Sequence, residues 1–361
     1  MLSAPFLRSC CPLPKLTLSD ELFPPTFIKW PTMSFLLYRR PGRVIFLDDD
    51  RDYLEMLGEV MPPDWYVSLY LRPISCIELL HRDIQNRETD AWNQQKIVNR
   101  WHDGALLIPE ILRYWREDGT ARFAFTQVGV VDYAMPAMNG LRVLDELTRW
   151  PGSRILLTGR ADEQLAVSAF NRGLINQFIP KQSPDIRMRL TGAIKHLQYQ
   201  PDERHQHIWR ATLTHSQYAM LTDPLISREL TNLARIQGWI EHVAIGAPFG
   251  VLALDAQGGV KWLQLERPEG LPELADIALS TGWDGQTVKD IRDGKKLIDL
   301  ALQIALNADH RPRPCPSLTL KGQHGILHAA VFTVGAPFAP GLSNSYQRFL
   351  ADHGDRRLLE D

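Results

Sequence analysis

Five polar side chains, far apart in the chain, could together carry out one piece of chemistry. Asp48 and Asp49 follow the apolar run Arg43-Val-Ile-Phe-Leu47. Asp132 closes the run Val128-Gly-Val-Val131, Thr158 follows Arg154-Ile-Leu-Leu157, and Lys181 follows Gln177-Phe-Ile-Pro180. Carboxylates crowded together raise one another's pKa and trap a proton between them. A divalent ion relieves that conflict, and Mg²⁺ or Mn²⁺ suits hard carboxylate oxygens. A carboxylate acceptor, a hydroxyl and a point-charge ammonium then suit phosphoryl transfer, which needs mainly alignment and charge stabilisation. Each residue taken alone has an ordinary explanation. Asp48, Asp49 and Asp50 could form a solvated turn, and Asp132 could be only a strand-end carboxylate. Thr158 could cap a helix, Lys181 could be a surface lysine, and Phe178 could be a core residue. Met135-Pro136 and Gly140, following Asp132, favour the chemical explanation.

Bringing these groups together requires a sheet. Arg43–Leu47 is bounded by Pro41-Gly42 and by carboxylates, which predicts a buried parallel strand. Tyr53, Met56, Leu57, Val60 and Met61 recur at helical spacing, and Pro62-Pro63 ends that helix. A strand over 65–71 and a helix carrying Ile74, Ile77 and Leu80 come next. The polar stretch 83–122, with Trp92, Trp101 and Trp115, predicts two inserted helices near 90–101 and 107–116. Then come a strand ending at Asp132, a helix marked by Leu141, Leu144, Leu147 and Trp150, and a strand ending at Thr158. A helix over 161–171 closes at Gly173, a strand covers 177–179, and a helix covers 186–197. Five alternations predict a parallel sheet with helices on both faces, whose working residues gather beyond the carboxyl ends of the strands.

The run Val130-Val-Asp132-Tyr-Ala-Met135-Pro136-Ala-Met138-Asn-Gly140 resembles the phosphoacceptor segment of the response-regulator receiver family, D-x-x-M-P-x-M-(D/N)-G. Leu47-Asp48-Asp49 resembles the family's acidic pair, Thr158-Gly159 its switch hydroxyl and small neighbour, and Phe178-Ile-Pro-Lys181 its aromatic-x-x-Lys run. The resemblance covers residues 42–200 and implies an α/β, flavodoxin-like, doubly wound parallel five-stranded sheet. It implies that Asp132 accepts phosphate from a histidine kinase or phosphotransfer protein. It also implies that Asp49 and Asp132 ligate Mg²⁺ directly, Asp48 acts through water, and the Ala134 carbonyl supplies another oxygen. Thr158 and Phe178 would be the switch pair, and Lys181 would hold one phosphoryl oxygen. Such a domain catalyses only its own phosphorylation and dephosphorylation, and its fifth-strand face is a candidate homodimer surface. Two features depart from the family pattern. Gln182 stands where the family usually has proline after the lysine, and the separation of Asp49 from Asp132 is long, which the insert at 83–122 explains.

A second family shares part of this text. Asp48-Asp-Asp50, Thr158-Gly-Arg160 and Lys181 resemble motifs of haloacid-dehalogenase-type phosphatases, with Asp48 as nucleophile. That alternative leaves Asp132-x-x-Met135-Pro136 unexplained and lacks a late paired-carboxylate motif.

The rest of the chain sets bounds. With 361 residues, 44% apolar and 23% charged, it has the composition of a soluble two-domain protein. A net charge of −2, and more carboxylates than basic groups from Pro201 on, argue against nucleic acid as a partner. No long apolar run suggests a membrane span, and Cys10, Cys11, Cys76 and Cys315 form no C-x-x-C pair, as expected of reduced cytoplasmic thiols. Prolines at 5, 12, 14, 24, 25 and 31 predict a disordered extension over 1–41, with no signal peptide and with Met33 as an alternative start. Residues 201–215 read as a linker or, from His205 on, an irregular helix, with His205 and His207 as a surface pair. Residues 216–361 read as an α+β output or sensory domain of unknown type. It has helical spacing over 225–243, hairpins around 255–259 and 322–325, and a final helix over 345–353. The order of hairpin, helices and hairpin resembles PAS-like modules.

Overall fold

The computed structural model describes residues 34–117, 119–159, 163–308, 311–354 and 358–359. The expectations for residues 1–33, Met33 included, lie outside these. The chain forms two compact units that interleave in sequence. One contains Arg39–Lys96, Glu117–His205 and the described residues from Leu342 on. The other contains the described residues through Tyr38, Ile97–Arg116 and Gln206–Gly341. Residues 34–41, expected to be disordered, are instead ordered. Phe35 and Leu37 are buried, and Tyr38–Arg39 form a short strand, β1. Phe35 stacks on His242 with ring centroids 4.8 Å apart, and the Leu37 N–H donates to Gln206 Oε1 at 2.7 Å. The apolar residues past Pro31 thus have a surface on which to bury.

The first unit is the parallel sheet. In chain order come β2 (Arg43–Leu47), α1 (Arg51–Val60), β3 (Val67–Tyr70), α2 (Pro73–His102), α3 (Leu107–Glu117), β4 (Thr126–Asp132), α4 (Gly140–Glu146), β5 (Ser153–Thr158), α5 (Glu163–Asn171), β6 (Gln177–Pro180) and α6 (Ile186–Leu197), of which α2 from Ile97 on and α3 through Arg116 belong to the other unit. The strand order is β3-β2-β4-β5-β6, all parallel. Every residue of β2 is buried, because successive side chains serve opposite cores. Val44 and Phe46 pack with Leu54, Leu57 and Ile194, whereas Ile45 and Leu47 pack with Val143, Leu144 and Trp150. Gly173 has φ +70° and ends the segment after α5, as its position suggested.

The insert differs from expectation. No glycine or proline interrupts residues 74–102, so the helix after β3 and the first inserted helix are one 30-residue helix, α2. At 1.5 Å per residue it is about 45 Å long. Its buried stripe runs through Cys76, Leu80, Asp83, Asp90, Gln94 and Val98. Three of those are polar, which hides the helical period. Each has a partner: Asp83 Oδ2 accepts from the Thr126 N–H at 2.6 Å, and Asp90 holds the Arg40 guanidinium with both oxygens at 3.0 and 3.1 Å. Gln94 Nε2 donates to Asp90 at 3.2 Å. His205 is no surface residue. It is buried, with Nε2 2.9 Å from Asp90 and Nδ1 3.0 Å from Asp202.

Burial alone would raise the Asp90 carboxyl, but Arg40 and His205 together hold it well below the usual carboxylate range. Burial alone would lower His205, but Asp202 and Asp90 hold it above the usual imidazole value. A depressed acid stabilises the fold above its ordinary pKa, and a raised base stabilises it below its own. The network therefore contributes most between about pH 4 and 6.5. Asp90→Ala, which strands Arg40 in the interior, is expected to cost about 3–5 kcal/mol. Urea denaturation across that pH range is the check.

The end of the chain returns to this unit. The helix Tyr346–His353 is capped by Ser345, whose Oγ accepts from the Arg348 N–H at 3.1 Å. Tyr346 and Phe349 meet Phe123 and Tyr66 edge to face. Leu358–Leu359 pairs in parallel with β3, adding a short strand to the sheet edge. The final helix thus belongs to the parallel unit, not to the second domain.

The second unit is α+β and antiparallel. It includes α7 (Glu203–Arg210) from Gln206 on, α8 (His215–Thr222), α9 (Pro224–Ile236), β7 (Trp239–Gly246), β8 (Phe249–Asp255), β9 (Val260–Glu266), α10 (Leu271–Ser280), α11 (Gly285–Arg292), β10 (Lys296–Ile298), α12 (Leu300–Leu306), β11 (Pro314–Pro316), β12 (Leu318–Gly322) and β13 (Gly325–Thr333). The sheet order is β1-β7-β8-β9-β13-β12, and β10 pairs with β11. Residues 203–210, in the stretch read as a linker or an irregular helix, form a regular packed helix that buries Ile208 and Trp209. The helical spacing over 225–243 also gives way. Gly238, at φ +65°, ends α9, and Trp239 starts β7, whose residues 241–245 are all buried. Both expected hairpins are present. Of the inserted tryptophans, Trp115 is fully buried with Nε1 donating to Glu241 at 3.0 Å, and Trp92 is exposed. No helix among the described residues is long and apolar enough to cross a membrane.

Candidate functional site

Strand register assembles the site. Leu47 lies beside Val131, Asp132 beside Leu157, and Thr158 beside Pro180. One residue further along β2 is Asp48, and one past β6 is Lys181. Four parallel strands therefore deliver Asp48, Asp132, Thr158 and Lys181 to the same rim. Asp48, Asp49 and Asp132 each offer a carboxylate oxygen within 4.8 Å of the others. Asp48 and Asp132 are buried, and Asp49 is exposed at the mouth.

Lys181 Nζ lies 2.6 Å from Asp48 Oδ2 and 2.8 Å from Asp132 Oδ1. The Lys181 N–H donates to the Thr158 carbonyl at 2.9 Å, which fixes the strand end that carries it. The lysine makes this reach with Gln182 in place of proline. The cis peptide among the described residues is Ala247–Pro248, so the bond after Lys181 is trans. Thr158 is fully buried, and its Oγ1 has no hydrogen-bond partner among the described residues. Phe178 is half-buried against the core face that also carries Tyr133 and Met138.

The loop after Asp132 folds back on it. The Ala134 N–H donates to Asp132 Oδ2 at 3.0 Å, and the Gly140 N–H donates to the Tyr133 carbonyl at 3.0 Å. Asn139 caps α4 by accepting from the Arg142 N–H at 2.9 Å. A Cβ on Gly140 would stand 2.1 Å from the Asp132 carbonyl oxygen, so close approach is what demands glycine here. Gly140→Ala must push β4 or α4 away. It is expected to cost about 1–3 kcal/mol, readable as a lowered thermal midpoint.

Burial raises the Asp48 carboxyl above its ordinary value, and the Asp132 charge adds to the shift. Lys181 and the Asp50 N–H, 3.1 Å from Asp48 Oδ1, oppose it. Burial would lower the Lys181 ammonium, but Asp132 and Asp48 raise it. A raised carboxyl stabilises the fold at low pH and loses that contribution as pH rises through the folded-state value. Asp48→Asn removes this titration, so without metal its stability should decline less than wild type between about pH 4 and 7. Urea midpoints at the two pH values test this.

One contributor was not legible in the sequence. Tyr53, whose spacing marked it only as part of the α1 core face, places its ring 4.8 Å from Lys181 Nζ. Its hydroxyl is buried without a partner among the described residues, and burial pushes its pKa up to about 12. Its position on the first turn after Asp48-Asp49-Asp50 was the available signal. Asp50, the second acid of the phosphatase-like motif, caps α1 by accepting from the Tyr53 N–H at 3.0 Å. Arg160 of that motif lies outside the described residues.

No family model matches the sequence, and no curated protein matches it. Among solved structures, the Legionella pneumophila response regulator LqsR aligns over 89% of this chain and 96% of its own, with 23% identity and a TM-score of 0.64. A response regulator receiver domain protein from Clostridium thermocellum aligns over 43% of this chain and 93% of its own, with 18% identity and a TM-score of 0.28. A CheY-like receiver domain protein from Methanospirillum hungatei JF-1 aligns over 46% and 98%, with 16% identity and a TM-score of 0.28. The first similarity spans both units and shows a shared fold. The parallel unit has the flavodoxin-like receiver architecture, and the antiparallel unit is a separate α+β domain.

Proposed function

We propose that this chain is a phosphorylation-dependent response regulator of a two-component phosphorelay, with Asp132 as the phosphoacceptor. The observation that carries this reading is the position of Lys181 Nζ between Asp48 and Asp132 at 2.6 and 2.8 Å, beside a third carboxylate on Asp49. An acceptor carboxylate must meet an anionic phosphoryl group, and here a fixed cation stands at the acceptor oxygen.

The donor set suits Mg²⁺ or Mn²⁺. Asp48, Asp49 and Asp132 would hold it, with the Ala134 carbonyl as a further hard oxygen. When bound, such an ion neutralises the carboxylates and the incoming phosphoryl oxygens. A carboxylate oxygen of Asp132 forms the new P–O bond as the P–N bond of a phosphohistidine donor breaks and the imidazole nitrogen leaves. Lys181 turns its charge from the carboxylates towards a phosphoryl oxygen. The Thr158 hydroxyl, buried with its hydrogen-bonding capacity unspent, donates to another. Phe178 then fills the space that Thr158 leaves, passing the state to α5, β6 and α6. Leu165 and Phe170 on α5 and Met188 on α6 are exposed, which suits a protein-binding output, a second copy of the chain included. Moving such a switch from 1:99 to 99:1 takes about 5.5 kcal/mol, and charge-assisted hydrogen bonds of about 1.5–3 kcal/mol each supply much of it.

The test is incubation with acetyl phosphate and Mg²⁺, followed by peptide mapping. The label is expected on Asp132, with no turnover of p-nitrophenyl phosphate. A label on Asp48 with turnover would replace this reading by the phosphatase one. A pull-down from lysate with and without beryllofluoride then identifies the output partner.

A further inference from the structure

The antiparallel unit contains a cavity of about 360 Å³ at the end of the sheet where β8 starts and β9 finishes. That volume lies within the range of small-ligand sites. Its wall is built by strand register. Gln264 on β9 has Gly250 on one side and Ala330 on the other, so the two smallest residues flank a long amide. Gln264 is 3% exposed, yet its Oε1 has no hydrogen-bond partner among the described residues. A buried amide left unsatisfied costs stability unless something supplies the missing bond.

Charge points the same way. Glu266 lies two residues on, so it shares a sheet face with Gln264. Arg267 follows it, and both line the cavity half-buried. Neither forms an ion pair among the described residues, and the Glu266 contact there is the Arg267 N–H, 3.1 Å from Oε1. Burial, with Glu273 and Glu269 nearby, raises the Glu266 carboxyl, and the Arg267 N–H and the Arg267 charge offset only part of that rise. Phe249 and Pro248 supply an apolar wall, and Ser216 adds a hydroxyl. An acid and a base that form no close ion pair among the described residues, one unsatisfied amide and an aromatic wall surround a single space.

We propose that this cavity binds a small zwitterion of the α-amino acid class. Its ammonium would be held by Glu266 and Gln264 Oε1, its carboxylate by Arg267 and Ser216, and its side chain would lie against Phe249 and Pro248. A simple amine would engage Glu266 but not Arg267, and a simple acid Arg267 but not Glu266, whereas a zwitterion engages both. The site lies within the antiparallel unit and does not depend on phosphorylation of Asp132.

The test uses the full chain and the common free L-amino acids as probes, each at millimolar concentration, in a thermal-shift screen followed by calorimetry. At least one is expected to raise the melting temperature saturably. Its decarboxylated and deaminated analogues should each bind about tenfold more weakly or worse. Glu266→Gln and Arg267→Gln, changes at half-exposed positions that circular dichroism can show to be folded, should lower affinity by a similar factor. Absence of any shift across the panel overturns the proposal. So does a shift that survives in the folded double variant, or an amine that binds as tightly as its parent amino acid.

Discussion

Asp132→Asn is expected to take up no phosphoryl group from acetyl phosphate and Mg²⁺ under conditions that should label the wild-type chain. Loss of label is expected to be complete, because an amide oxygen is not a carboxylate nucleophile. The substitution is otherwise mild. Asparagine has the same shape and can still accept from the Ala134 N–H, which Asp132 Oδ2 meets at 3.0 Å. It also removes one of three crowded negative charges, so the folded state should tolerate it. Intact mass with and without acetyl phosphate reads the result. Retained labelling at another residue of the cluster would move the acceptor, and labelling at Asp48 in particular would favour the phosphatase chemistry. A folded Asp132→Asn that still takes up phosphate on Asp132-free peptides would therefore sink the assignment.

Lys181→Ala has the next largest effect. The ammonium contacts Asp48 and Asp132 together, so its removal leaves two buried carboxylates facing each other with no fixed cation. Loss of one preorganised charge at a developing anion typically costs about 10²–10³ in rate, and phosphate uptake should slow by that order. Stability should respond with a defined sign. Lys181 now holds the Asp48 carboxyl down against burial, so without it that group rises further. A raised acid stabilises the fold at low pH and loses that contribution as pH increases, so Lys181→Ala should be destabilised more at about pH 7 than at about pH 4. Urea midpoints at both values measure this. Equal destabilisation at the two would mean that the lysine does not set the charge state of the pair. Lys181→Arg, which keeps the charge but not the compact shape, separates charge from fit.

The two sites make different demands on the chain. The acidic rim is built from residues at strand ends, where backbone register alone sets spacing. The cavity by Gln264 depends on side-chain sizes across three strands, at Gly250, Gln264 and Ala330, the last of which comes from far beyond the hairpin that holds the first two.

That difference sets what could be learned from sequence alone. Apolar runs that stop at Asp48, Asp132, Thr158 and beside Lys181 already specified a parallel sheet and the rim where these residues meet, because a strand buried on both faces leaves polar residues only at its ends. The Met135-Pro136 and Gly140 positions were legible too, and the 2.1 Å approach to Asp132 explains the glycine. Four features depended on tertiary structure. The continuity of α2 was hidden because Asp83, Asp90 and Gln94 occupy its buried stripe, and a polar residue at a core position erases the period that reveals a helix. The burial of His205 depends on Asp90, and the return of Tyr346 and Leu358 to the parallel unit depends on Phe123 and β3. Each partner is more than a hundred residues away. Tyr53 joins the site only because α1 sets its ring over Lys181. Local sequence fixes what a segment can become, whereas the satisfaction of a buried charge or amide depends on which distant segment arrives beside it.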